Sequence, residues 1–145
     1  MSELFRFFIG DAMSTPAFRL HSTVLGTPDP PALARFWVEL LGYDYRDGEP
    51  GPDDVWVVIR PPGTDTDAPG LSFQLETEHS PPAWPAAPGD QQMQLHLDIG
   101  VADLPAAVAR AEELGAQQAA YQPQDLVRVM LDPAGHPFCL FAPGV

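Results

Sequence analysis

The chain has 145 residues, 45% of them hydrophobic, which is enough for one domain that buries a core without disulfides. Seven Lys and Arg stand against 20 Asp and Glu, and a formal net charge of −13 argues against nucleic acid or an anionic membrane surface as a partner. The single cysteine, Cys139, cannot form an intramolecular disulfide and no run is long and apolar enough to span a membrane, so we expect a cytoplasmic protein.

The N-terminal segment, residues 1–17, is predicted to be an extension that precedes the folded part. Two alternatives stay open for it: disorder, or packing on a partner subunit. Residues 18–145 are predicted to form a single domain. Its two halves, about 18–80 and 91–145, are joined by the proline-rich loop "SPPAWPAAPG".

The first half begins with a predicted strand, "FRLHSTVLG", followed by a helix over 29–42. Asp29 is a helix N-cap candidate, prolines follow at the first helical positions, and Gly42 ends an apolar stripe at helical spacing. After the helix come the β-like runs "VWVVIR" and "LSFQLE", with a further short strand near "YDYR" as an option. This order is β-α-β-β or β-α-β-β-β.

The second half repeats this order. A shift of 74 positions places Gly26 on Gly100 and Asp29 on Asp103, and residues 103–115 are predicted to form the second helix. The strand "MQLHLDIG" precedes that helix and "VRVML" and "PFCLF" follow it, with "AAYQ" as the optional short strand. The sequence therefore predicts an α+β fold of two similar modules.

The strand of the second half alternates cleanly between apolar and polar residues. Leu95, Leu97 and Ile99 share one face, and Gln94, His96 and Asp98 share the other. Because the apolar face meets a helix, the polar face of a central strand looks into solvent or into a cavity. A curved mixed sheet with helices on its outer side would form a cup with polar residues on its inner wall.

Two further side chains match between the halves at a shift of 72, Trp56 and Arg128. An aromatic ring and a guanidinium on the wall of a cup would suit an aromatic or anionic small molecule. The alternative is that Trp56 belongs to the core and Arg128 neutralises part of the acidic surface.

The segments "TPDPPALARFWVELLGY", "HLDIGVADL" and "DPAGHPFCL", together with the two βαβββ modules, resemble the vicinal oxygen chelate superfamily, which has the glyoxalase and bleomycin-resistance fold. The resemblance covers about residues 18–143 and is nearest to glyoxalase-like members of actinobacterial type. It implies a cup made of two modules. It also implies a divalent metal held by the first and last strands of each module.

The metal positions implied by the resemblance fall on Ser22, Gln74, His96 and Cys139. Only His96 and Cys139 are strong ligands, whereas a zinc site keeps three. Asp98 shares the face of His96, but next-but-one residues of a strand are about 6–7 Å apart, which we expect to prevent joint chelation. We therefore expect no metal or other cofactor; a divalent metal, if bound, would use His96 with Gln74 and Cys139.

We expect a homodimer that binds a small organic molecule, without a metal, in a cup. The predicted site residues are Ser22, Trp56, Gln74, His96, Asp98, Arg128 and Cys139. The alternative is an enzyme, either a metal-dependent lyase, isomerase or dioxygenase of this superfamily, or a metal-free acid–base catalyst that uses His96 and Asp98 as its catalytic pair.

Overall fold

The computed structural model describes residues 15–63 and 68–143. Most of the predicted N-terminal extension, residues 1–14, lies outside the described residues. The first module contains β1 (Ser22–Thr27), α1 (Pro30–Leu41), β2 (Asp44–Tyr45), β3 (Trp56–Arg60) and β4 (Gly70–Leu75). The second contains β5 (Leu97–Gly100), α2 (Leu104–Leu114), β6 (Gln117–Gln118), β7 (Val127–Leu131) and β8 (Pro137–Phe141). The predicted α+β fold of two βαβββ modules is confirmed.

Each module forms a four-stranded mixed sheet, and the two sheets have the same topology. Their strand orders are β1-β4-β3-β2 and β5-β8-β7-β6. The first strand of each module pairs in parallel with the last, and the remaining pairs are antiparallel. Both first strands are consequently edge strands of their own sheets.

The two helices begin and end as the sequence predicts. The Asp29 side chain accepts a hydrogen bond from the Ala32 amide, and Asp103 accepts one from the Ala106 amide, so both helices are capped by a carboxylate. Gly42 (φ 69°) and Gly115 (φ 114°) end them in the left-handed region, which residues with a β-carbon rarely adopt. No helix among the described residues is long and apolar enough to cross a membrane.

The core lies between the helix-facing sides of both sheets and is centred on α1. The Trp37 ring is fully buried and packs edge-on against Phe36 and Phe138, with ring centroids 5.2 and 5.0 Å away. Because Phe138 belongs to β8, α1 joins the two modules into one apolar core. The indole N–H of Trp37 donates a hydrogen bond to the buried Asp132 carboxylate at 3.2 Å.

The strand before α2 is shorter than the sequence predicts, and the strand before α1 starts later in the chain than predicted. In the parallel pair β5–β8, Leu97 lies opposite Phe138, and β8 begins only one residue earlier, at Pro137. Residues 93–95 therefore have no residue of β8 opposite them, although their alternation with the following residues is typical of a strand. In the same way β4 begins at Gly70, opposite Ser22, and leaves residues 18–21 outside the sheet.

Candidate functional site

Three of the predicted site residues lie together at the start of β5 and in β8. His96 directly precedes β5, Asp98 lies within it, and Cys139 lies opposite Asp98 in β8. A nitrogen of His96, the Asp98 carboxylate and the Cys139 sulfur lie within 4.8 Å of one another. We call these three residues the β5–β8 cluster. Since Leu97 and Ile99 face the core, the cluster occupies the side of the sheet away from the helices.

The side chains of His96 and Asp98 converge more than the strand spacing suggested. Nε2 of His96 lies 3.1 Å from Oδ1 of Asp98, which is closer than the spacing of about 6–7 Å on which the expectation against joint chelation rests. The reason is that strand geometry fixes the Cα separation only, and both side chains lean along the strand towards each other. The pair is open to solvent, with 39% and 61% of the two side chains exposed.

Cys139 is half-buried beside Asp98. Burial raises the pKa of the Cys139 thiol, and the nearby Asp98 carboxylate, which also accepts its hydrogen bond, raises it further. The thiol therefore stays protonated where an ordinary cysteine begins to ionise. This environment is the opposite of one that activates a nucleophilic cysteine.

The predicted residues of the first module lie on the equivalent side of the other sheet. Trp56 pairs with Gln74 across β3 and β4, which places both on the side away from the helices, and 44% of Trp56 is exposed. Ser22 Oγ lies 2.6 Å from Ser72 Oγ, and the Gln74 amide donates to the Glu76 carboxylate at 2.7 Å. Within residues 15–63 and 68–143, no hydrogen bond or ion pair connects these side chains to the β5–β8 cluster.

Arg128 lies apart from both groups. It is opposite Leu140, a core residue, so it starts from the helix-facing side of the second sheet. Its Nη1 donates to the carbonyl oxygens of Gln124, Asp125 and Val127, at 3.2, 2.9 and 2.9 Å. The guanidinium thus holds the loop that leads into β7.

Of the four metal positions implied by the resemblance, two carry strong ligands, His96 and Cys139. Ser22 and Gln74 are engaged by Ser72 and Glu76, and neither is a strong ligand. Among the described residues, the β5–β8 cluster of the second module is the one group of three His, Cys, Asp or Glu side chains whose donor atoms lie close together. It contains Asp98, whereas the expected set contains Gln74.

A cavity of about 330 Å³ opens between the modules, along the free edge of β1. We call it the seam cavity. One wall is residues 23–26 of β1, the opposite wall is residues 91–97, and Trp37 and Phe138 contribute apolar surface. His96 is the one predicted site residue that lines it, so the cavity and the β5–β8 cluster adjoin at this side chain.

Two histidines that sequence reasoning gave no role also line the seam cavity, His79 and His136. Their rings lie against each other with centroids 5.0 Å apart. Nε2 of His79 is 2.8 Å from the Ala134 carbonyl oxygen, and Nε2 of His136 is 2.7 Å from that of Gly26. His136 thereby links the turn before β8 to β1. The pair is 57 residues apart along the chain, and no local signal in the sequence predicts it.

Three solved structures resemble this one at low sequence identity. A glyoxalase/bleomycin resistance protein/dioxygenase family enzyme from Burkholderia phytofirmans has a TM-score of 0.60 at 17% identity, covering 85% of this chain and 97% of its own. TnmS3, an antibiotic-binding protein from Streptomyces, has a TM-score of 0.52 at 22% identity, covering 90% and 99%. The bleomycin resistance determinant of transposon Tn5 has a TM-score of 0.50 at 16% identity, covering 90% and 100%.

These structural matches establish the fold. A sequence comparison with curated proteins finds no significant match. The family model described as "Glyoxalase-like domain" matches residues 22–141, from the first residue of β1 to the last residue of β8. This span includes both modules and the whole β5–β8 cluster, and the chain belongs to the glyoxalase-like domain family.

Proposed function

We propose that this protein binds a small organic molecule between its two modules and does so without a bound metal. The observation that carries the proposal is the seam cavity, which has an apolar wall and a few polar side chains, the composition typical of small-molecule sites. Its volume of about 330 Å³ is at the lower end of the range for such sites, about 300–1,000 Å³. We therefore expect a ligand of small molecular volume.

Binding without a metal is supported by the chemistry of the four positions implied by the resemblance. Two of them, Ser22 and Gln74, are weak ligands already engaged by neighbouring side chains. A third, Cys139, has a pKa raised by burial and by Asp98, so a metal would first have to displace the thiol proton. Among the similar structures, TnmS3 is described as an antibiotic-binding protein, which gives a precedent on this fold for binding as a function.

The alternative is an enzyme centred on the β5–β8 cluster. The close approach of its donor atoms favours this alternative, because three strong ligands can hold a divalent metal and leave a position open for substrate. The His96–Asp98 pair also suits metal-free acid–base chemistry, in which the carboxylate orients the imidazole. Asp98 separates the two functions, since it belongs to the cluster and does not line the seam cavity.

A thermal-shift screen of chelator-treated protein against uncharged, anionic and cationic aromatic compounds tests the proposal. A ligand at 100 times its Kd stabilises a protein by about 2.7 kcal/mol, which raises the Tm of a domain this size by several degrees. We expect hits in the absence of metal that persist in Asp98→Asn. If hits appear only after a divalent metal is added, and Asp98→Asn removes them, the enzyme alternative replaces the binding role.

We also propose that the protein is a cytoplasmic homodimer. Support for the dimer comes from apolar side chains next to the edge strands β1 and β5: Phe18, Leu20 and Leu95 are 89%, 66% and 81% exposed. Large apolar side chains clustered on a surface are typical of a contact with a partner. Sedimentation analysis should give the mass of two chains, and Leu95→Glu should shift it towards the monomer; a wild-type monomer at all concentrations would contradict the proposal.

A further inference from the structure

The seam cavity has a wall without formal charge in a strongly acidic protein. Although the chain carries 20 Asp and Glu and seven Lys and Arg, none of the residues that line the cavity is one of these. Its titratable side chains are His79, His96 and His136. An anionic ligand would enter against the net charge of −13, and a cationic one would find no carboxylate on the wall. The wall therefore favours an uncharged ligand.

The two stacked histidines offer that ligand hydrogen-bond acceptors. A carbonyl oxygen can only accept, so Nε2 of His79 and Nε2 of His136 each carry the hydrogen that they donate to Ala134 and Gly26. In a neutral imidazole the other nitrogen, Nδ1, is then an acceptor. Within the described ranges, no hydrogen bond engages Nδ1 of either ring. Each ring in its neutral form thus keeps one acceptor for a ligand.

The histidine pair is held in place on both sides. The turn before β8 contains Gly135, where an added β-carbon would lie 2.6 Å from the β-carbon of Pro81, so the linker between the modules packs directly on this turn. Gln91 reinforces that arrangement, because its side-chain amide donates to the Ser80 carbonyl oxygen at 2.6 Å and its backbone carbonyl oxygen accepts from the Ala83 backbone N–H at 2.9 Å. The linker therefore forms a fixed wall, which favours a preformed site.

We propose that the seam cavity is a binding site selective for an uncharged, mainly apolar molecule that carries an O–H or N–H donor, and that His79 and His136 accept that donor. This inference rests on the binding role proposed above and assigns both the ligand class and the residues that select it. Trp37 and Phe138 supply the apolar contact. The predicted residues on the open faces of the two sheets, such as Trp56 and Asp98, do not take part.

Three probes with one ring system separate the effect of a hydrogen-bond donor from the effect of charge. The first, 1-naphthol, is uncharged and has an O–H donor; 1-methoxynaphthalene lacks the donor, and 1-naphthoate is an anion. Their Kd values for chelator-treated wild-type protein are measured by isothermal titration. We expect 1-naphthol to bind about tenfold more tightly than 1-methoxynaphthalene, as one hydrogen bond allows. The anion is expected to bind most weakly.

Variants then locate the acceptor. His79→Phe keeps an aromatic ring against His136 but removes one of the two acceptors, and should reduce the preference for 1-naphthol over 1-methoxynaphthalene; the double variant with His136→Phe should bring the ratio of the two Kd values close to one. His79→Asn keeps a polar group near the position of Nδ1 and should retain part of the preference. The matched control is His21→Phe, since His21 is exposed beside Arg60 and does not line the cavity; it should leave the ratio unchanged.

Each other outcome overturns the inference. Equal affinities of the three probes for the wild type, or no binding of any of them, would contradict the assigned ligand class, while the wider compound screen still decides whether the protein binds small molecules at all. A preference for 1-naphthol that survives in the double variant but is lost in Trp56→Ala or Asp98→Asn would place the ligand on the open faces of the sheets. In that case the binding role would stand and the seam cavity would not be its site.

Discussion

The two modules share one topology but differ in what their side chains do. In the first, α1 buries six residues, among them Phe36 and Trp37, and the polar residues on the open face of its sheet are bonded to one another. In the second, α2 buries only Ala111, and the open face carries the β5–β8 cluster. The comparison teaches that the first module provides most of the core, while the second provides most of the chemically reactive groups.

The largest effect is expected at the centre of the first module. Trp37→Ala removes a buried ring that contacts both modules and leaves Asp132 without its indole donor, so the free energy of unfolding should fall by about 3–5 kcal/mol. A truncation in the second module, Val108→Ala on the half-buried stripe of α2, should cost about 1 kcal/mol. Urea denaturation measures both. Equal losses would contradict the division of roles between the modules.

The buried carboxylate of Asp132 should make stability depend on pH. Burial raises the pKa of Asp132 despite the hydrogen bonds from Trp37, Ala134 and His136. Because its folded-state pKa lies above the unfolded value, the protonated group contributes stability that is complete below about pH 4 and is lost as pH rises through the folded-state pKa. Chemical denaturation at a series of pH values from about 4 upward should therefore show that the free energy of unfolding falls more steeply with pH in the wild type than in Asp132→Asn. Parallel curves would show that Asp132 titrates alike in both states.

In the second module, Asp98 should control the ionisation of Cys139. Removing its charge in Asp98→Asn should lower the pKa of the Cys139 thiol and speed its alkylation by iodoacetamide at neutral pH. The pH–rate profile of alkylation measures the shift. Asp29→Asn serves as the matched control, because it removes an aspartate charge at the N-cap of α1 in the other module. A profile unchanged by Asp98→Asn would mean that burial alone sets this pKa.

The smallest effects are expected at the helix caps. Asp29→Ala and Asp103→Ala each remove the carboxylate that accepts from a first-turn amide, so each should lower the free energy of unfolding by about 1 kcal/mol. Since the two caps have the same geometry, thermal unfolding should show similar losses. A loss restricted to Asp29→Ala would indicate that α2 unfolds separately from the core.

The parts of the fold that depend on local signals could be predicted from the sequence. The caps, the terminal glycines and the internal repeat gave both helices and the order of the strands. The strand ends could not be predicted, because they depend on where the partner strand begins: β8 begins at Pro137, so residues 93–95 have no β8 residue opposite them. The alternation of apolar and polar residues carries no information about that partner.

The part of the candidate site that depends on local sequence patterns could also be predicted, whereas the part that depends on contacts between distant segments could not. Alternation placed His96 and Asp98 on one face, and the resemblance added Cys139. The seam cavity depends on contacts between the linker, β1 and the turn before β8, which join His79 to His136 only after the chain has folded. Whether His96, Asp98 and Cys139 act in binding or in catalysis stays a prediction.

Binding without a metal is the central claim, and the metal content of the protein tests it most directly. Untagged wild type and His96→Ala are incubated with Zn²⁺, Mn²⁺, Fe²⁺ or Ni²⁺, desalted and analysed by plasma mass spectrometry. We predict that both retain only substoichiometric metal under every condition, while the chelator-treated wild type still binds its small-molecule ligands. Near-stoichiometric metal in the wild type that is lost in His96→Ala would contradict the account and assign the β5–β8 cluster to metal-dependent chemistry.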